Sequence, residues 1–163
     1  MIRVATSNDT TVLLEQFERS LPATSFATVA VEKPIARGSI NHCISSKFGA
    51  AFLYKEQEMA PPTGAIVGIA DKLWYSKNGR CAVNLFLAYE SQAGADELLR
   101  AFTGWAWSMK TVKEVRIVKS SDFEDINQQM VIFANAGLKR AGGMYVAHRS
   151  EAHGNCERRK AGC

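Results

Sequence analysis

No stretch of the 163-residue chain approaches the roughly 18 consecutive apolar residues of a membrane span. No secretory leader is legible either: Met1-Ile2-Arg3-Val4-Ala5-Thr6 is too short and too polar to form one. The four cysteines, Cys43, Cys81, Cys156 and Cys163, form no C-x-x-C pair. That argues against a dithiol redox motif and against the common structural zinc spacings. These absences predict a cytoplasmic protein with reduced thiols. Internal repeats and low-complexity linkers are also missing. The net charge is only +4, and Arg149, Arg158, Arg159 and Lys160 near the end supply much of it. No basic stripe crosses the folded elements, which argues against nucleic acid as the main partner. Only the Arg158-Arg159-Lys160 run would support such binding.

What is present is ordinary globular material. Hydrophobic residues make up 47% and charged residues 22%, and a chain of this length buries about two-thirds of its unfolded surface. The expected organisation is one domain over 1–149 and a flexible basic tail over 150–163. Ile2–Ala5 reads as an opening strand, and Ser7-Asn8-Asp9-Thr10 supplies helix-cap chemistry. Leu13, Leu14, Phe17 and Leu21 follow at helical spacing, closed by Pro22. A weaker helix is expected over 35–48. Ala50–Tyr54, Ala65–Trp74 and Cys81–Tyr89 read as an antiparallel meander, with a turn at Pro61-Pro62-Thr63-Gly64 and an Asn78-Gly79 hairpin signal. In the last of these strands Val83, Leu85 and Leu87 alternate with Asn84 and Phe86.

The period then changes. Ala95, Leu98, Leu99, Phe102, Trp105, Ala106 and Met109 mark one helix face over 95–110. Trp107 falls off that face and reads as exposed. Val112–Lys119 reads as a strand, and Ser121-Asp122-Phe123-Glu124 as a capping box. A helix carrying Ile126, Met130 and Phe133 ends at Gly137, and Met144–Ala147 is a last strand. The order β-α-α-β-β-β-α-β-α-β predicts an α+β fold with a mixed, mostly antiparallel sheet flanked by helices. Its one crossover must join a parallel pair.

The chemistry concentrates where strand 81–89 passes into a helix through Glu90-Ser91-Gln92-Ala93-Gly94-Ala95-Asp96. Small residues at a helix N-terminus expose backbone amides to an anion, and the helix dipole assists. The same residues also make an ordinary tight turn. The metal reading of His148, His153, Cys156 and Cys163 is weak, because their spacing fits no standard site. His42 and Cys43 are adjacent, so their side chains point apart. Trp74 and Tyr75 read either as packing residues or as part of an acceptor site.

From Gly64 to Val146 the chain resembles the core of the GNAT N-acetyltransferases. Leu85-Phe86-Leu87 resembles the family's central strand. Ala93, Gly94 and Ala95 stand where its glycine-rich loop lies, and Leu98-Leu99 resembles the following helix. Ile132-Phe133-Ala134-Asn135-Ala136-Gly137-Leu138-Lys139-Arg140 resembles a later family motif, and Gly142-Gly143-Met144-Tyr145-Val146 its closing strand. The resemblance implies acetyl-CoA as cofactor and acetyl transfer to an amine of a small molecule or protein. It implies cofactor contacts at Leu85, Phe86, Leu87, Gln92, Ala93, Gly94, Ala95 and Asp96, with Asn127 and Phe133 further on.

Direct transfer needs a neutral amine, a thioester beside it and donors for the oxyanion. The resemblance places the polarising amide near Leu87 and the base on the central strand. That strand offers Asn84, which orients a water but accepts no proton; Glu90 and Asp71 are the nearby carboxylates. Both also read as solvated strand-end groups. Glu90 stands where the family has Arg or Gln, and Phe133 where it has an acidic Tyr. The departures imply an alternative: a protein of this type with weakened catalysis that binds a partner protein. Small divergent members resemble bacteriophage products, for which the partner would be a host protein in the host cytoplasm.

Overall fold

The computed structural model describes residues 1–23, 30–118, 126–141 and 144–148. The elements are β1 (Ile2–Val4), α1 (Thr10–Ser20), α2 (Lys33–Ser45), β2 (Gly49–Tyr54), β3 (Gly64–Lys72), β4 (Arg80–Tyr89), α3 (Gln92–Ser108), β5 (Val112–Val118), α4 (Ile126–Asn135), β6 (Lys139–Ala141) and β7 (Met144–His148). They build one sheet in the order β1-β2-β3-β4-β5-β7-β6. Every neighbouring pair is antiparallel except β4 and β5, which α3 joins in parallel. The α+β class and the single parallel crossover are as the sequence predicts. β6 is an addition, since three residues carry no readable period. The capping box at Ser121 and the tail beyond His148 lie outside the described residues.

Both faces of the sheet are covered, which is why β2 and β3 read as near-continuous apolar runs. On one face Leu98, Leu99, Phe102 and Ala106 of α3 pack on Phe52, Ile66, Ala82, Val115 and Ile117. On the other, Leu13, Leu14 and Ile40 of α1 and α2 pack on Leu53, Val67 and Phe86. Each fully buried Leu, Ile, Val or Phe side chain among them contributes about 1.5–3 kcal/mol. Trp105 and Trp107 are both half-buried against the α3 cluster. Trp107 is therefore not the exposed aromatic expected above. That position belongs to Trp74, which is 93% exposed.

β1 is tied to α1 by charge. The Asp9 carboxylate accepts from the Thr6 amide at 2.8 Å and from two Arg3 nitrogens at 2.9 and 2.6 Å. Those hydrogen bonds, from Arg3 above all, hold the carboxyl well below the usual carboxylate range.

β4 does not alternate cleanly. Val67 pairs with Phe86, but its neighbour Gly68 pairs with Asn84, leaving Leu85 as an extra residue. Such a bulge bends the strand and re-aims its side chains. Phe86 now turns to Phe17 of α1, with ring centroids 5.5 Å apart. Leu87 packs with the α3 cluster, and Leu85 is exposed. Gly68 makes the close approach possible: a Cβ there would lie 2.4 Å from the Val83 carbonyl oxygen and 2.6 Å from the Phe102 ring. The β3–β4 turn is also wider than an Asn-Gly pair alone, because β3 ends at Lys72 and Leu73–Gly79 leave the sheet. Gly137 closes α4 at φ +77°, as expected of a C′ glycine.

Candidate active site

The parallel pairing of β4 and β5 runs only from Arg80↔Val112 to Val83↔Arg116. Beyond it the two strands part. The Asn84 side chain, 4% exposed, fills the first missing rung. Its Nδ2 donates to the Val118 carbonyl at 3.1 Å, and the Val118 amide donates to its Oδ1 at 2.7 Å. From Leu85 to Tyr89 β4 has no strand partner on this side among the described residues. The gap therefore opens at the carboxyl ends of a parallel pair, the end at which open sheets usually bind ligands.

α3 begins at that same end. The linker is only Glu90-Ser91, so the expected loop over 91–96 is mostly the first helical turn. Ser91 caps it: its Oγ accepts from the Gly94 amide at 3.2 Å, and its carbonyl accepts from the Ala95 amide at 3.0 Å. Gly94 and Ala95 are buried, with the Tyr54 ring packed where a Gly94 Cβ would go. The exposed part of the turn is Gln92 and Ala93. Asp96 pairs with Arg100 at 2.9 Å, and its Oδ1 is buried without a hydrogen-bond partner. Glu90 is exposed and pairs with Arg19 of α1 at 3.5 Å, so its charge is offset beside the helix terminus.

The candidate catalytic groups are not gathered at one point. Asp71 pairs with Cys81, four residues before Leu85, which is roughly 13 Å along the strand. Glu90 lies five residues beyond Leu85, roughly 16 Å the other way. Asp71 and Asn84 do border one cavity of about 440 Å³, shared with Ile69, Trp74, Leu85 and Arg116. Phe133 is 1% exposed and packs within the core cluster that α3 covers. Its ring is a packing residue there and leaves no place for an acid. Phe86 and Leu87 also bury their side chains, so only their backbone could meet a cofactor. Asn127 lies in α4; its side chain is outside the described residues.

Sequence reading missed the pair Glu114–Arg116. Glu114 is 6% exposed and accepts a short hydrogen bond from Arg116 Nε. That bond is the main reason the guanidinium holds its proton more tightly than usual. Glu114 and Arg116 stand at i and i+2 of β5 and so share one face, and that spacing of opposite charges was the available signal. Cys81 on the cavity floor is inert by burial, which pushes its thiol up to about 11.

An acyl-CoA fits this geometry in outline. The parted strands offer a backbone edge to its amide-bearing arm, and the exposed first turn of α3 lies at the end where its phosphates would fall. No family model and no curated protein sequence matches the chain. Solved structures do. A GNAT-family acetyltransferase from Streptococcus pneumoniae superposes with a TM-score of 0.62 at 14% identity, over 90% of this chain and 96% of that one. A possible acetyltransferase from Clostridium difficile 630 gives 0.62 at 10% identity, over 86% and 91%. An aminoglycoside acetyltransferase in complex with coenzyme A and kanamycin gives 0.59 at 17% identity, over 93% and 95%.

Proposed function

From the premise that the chain carries the GNAT acyltransferase fold, we propose that it is an acyl-CoA-dependent N-acyltransferase, with acetyl-CoA as donor and an amine as acceptor. One observation carries the reading: the β4–β5 pairing ends at Val83↔Arg116, beside a bulge at Leu85, on the end of the sheet where α3 begins. When bound, the donor would supply an activated acyl group as its thioester. The chain's own part is to position it. The β4 edge past Asn84 holds the arm, and Gln92 and Ala93 in the first turn of α3 face the phosphates. The bulge turns backbone at Leu85 out of the β3 ladder, where an amide can serve as a donor to a carbonyl. The cavity bordered by Asp71, Trp74 and Leu85 receives the amine on the α1–α2 face. Phe133 offers no proton, so the leaving thiolate departs unprotonated or takes a proton from water. Loss of a general acid typically slows a reaction about 10²–10⁴-fold, and slow turnover is expected.

Calorimetric titration with acetyl-CoA tests the reading. Gln92 is the first residue of α3, and Ser91 before it is extended, so proline is tolerated there while its amide is lost. Gln92→Pro and Ala93→Glu are expected to weaken binding at least tenfold and leave the fold intact. No binding to the native protein at millimolar acetyl-CoA would refute the proposal. A second reading, a protein of this fold that grips a partner protein, is favoured by the adjacent exposed Trp74 and Tyr75. It gains if acetyl-CoA binds but a panel of amines releases thiol only at the background rate.

A further inference from the structure

The cavity on the α1–α2 face has a composition that says what kind of acceptor it takes; this inference rests on the acyl-acceptor role proposed above. Its floor is aliphatic, from Ile69, Val83 and Leu85. One wall is aromatic: Trp74 and Tyr75 stand edge to face, with ring centroids 5.4 Å apart at 88°. Both rings are exposed, Trp74 almost completely. A large apolar ring left in water at the rim of a cavity gains by being covered, and it offers its face to a ring or a cation.

The charges select further. Among the described residues Asp71 is the one carboxylate lining the cavity, and no ion pair holds it there. Lys72 and Arg116 also line it, and the buried Glu114 on the same strand face neutralises Arg116. A ligand with one positive charge meets one carboxylate and a largely apolar surface. A polycation has only that single carboxylate to meet its several charges, and its further charges fall beside Lys72, where like charges at close quarters reject it.

We infer that the cavity binds a monoamine with an apolar or aromatic body, clasped by Trp74 and Tyr75, and discriminates against polycationic amines of the kind represented by kanamycin.

The test uses the full-length protein and phenethylamine, with spermidine and kanamycin as polycationic probes. Binding is read by calorimetry and by the blue shift of Trp emission as the indole leaves water. The shift is expected with phenethylamine and should vanish in Trp74→Phe, which retains Trp105 and Trp107. Trp74→Ala and Asp71→Asn should each weaken phenethylamine at least tenfold, and Lys72→Glu should raise the affinity for spermidine. All four substitutions are on the surface, and circular dichroism checks each fold. Tighter binding of spermidine or kanamycin than of phenethylamine to the native protein would overturn the inference, as would the binding of no amine. Acetyl-CoA titrated into the same sample separates the two proposals. Donor binding without amine binding removes only the ligand class assigned here. Amine binding without donor binding removes the acyltransferase reading and leaves the cavity's selectivity standing.

Discussion

Asn84 is the residue whose replacement tests the architecture of the cleft most directly. Its carboxamide makes two hydrogen bonds to the backbone of one residue, Val118, at the point where β4 and β5 part. Asn84→Ala removes both. A net contribution of about 0.5–1.5 kcal/mol per bond gives a loss of roughly 1–3 kcal/mol. Val118 is 41% exposed, so water can reach its vacated groups and the loss should fall short of a buried orphan's full penalty. Asn84→Asp is the sharper variant. It keeps an acceptor for the Val118 amide but, when ionised, sets an anionic oxygen against the Val118 carbonyl. Only the protonated carboxyl can donate there, so its folded pKa should rise above the unfolded value of about 3.9. The stability from the neutral form is then present below the unfolded value and lost as pH rises through the folded one. Urea denaturation at pH 7 should show both variants destabilised with unchanged slope. A 2 kcal/mol loss shifts the midpoint by about 1 M at a typical slope. The deficit of Asn84→Asp should shrink as pH approaches 4. If both variants lie within about 0.5 kcal/mol of the native protein at pH 7, the Asn84–Val118 bridge does not hold the strands.

Two further outcomes are expected. Asp9→Asn breaks the clamp to Arg3; because the Asp9 carboxyl is held well below its usual range, the stabilisation is present above the unfolded pKa and fades as pH falls. A deficit of about 1 kcal/mol at pH 7, reduced by the exposure of Arg3, should close progressively below about pH 4 in a series of thermal melts, and a deficit independent of pH would contradict the clamp. Phe133→Tyr puts a hydroxyl into the core beside α4; it should cost about 1–3 kcal/mol, lower the Tm by several degrees, and leave thiol release unchanged, whereas faster release would show that the ring reaches the cleft.

Much of the fold was legible because local chemistry and global fold agree in it. Leu98, Leu99, Phe102 and Ala106 repeat at helical spacing, and all four are buried under α3. The change of period after Tyr89 marks the helix that joins β4 to β5, and a connection of that length is what a parallel pair needs. The site was less legible. Alternation along Val83–Leu87 predicts a flat strand, but the bulge at Leu85 is set by the partner strand and by the Phe102 ring pressed on Gly68. The linker into α3 read as a loop because Gln92-Ala93-Gly94 carries no apolar period; Ser91 and the packing of Tyr54 on Gly94 decide that it is helix.

The sequence by itself determined the class of fold, the order of its elements and the place where β4 hands over to a helix, since periodicity and turn chemistry act over a few residues. Tertiary structure alone decided three things: that Asn84 reaches across to Val118, that Phe133 turns into the core, and that Asp71, Trp74 and Arg116 share a cavity. Asp71 and Arg116 alone stand 45 positions apart in the chain. Only the pairing of β3, β4 and β5 brings Asp71, Asn84 and Arg116 together, and no local pattern records that pairing.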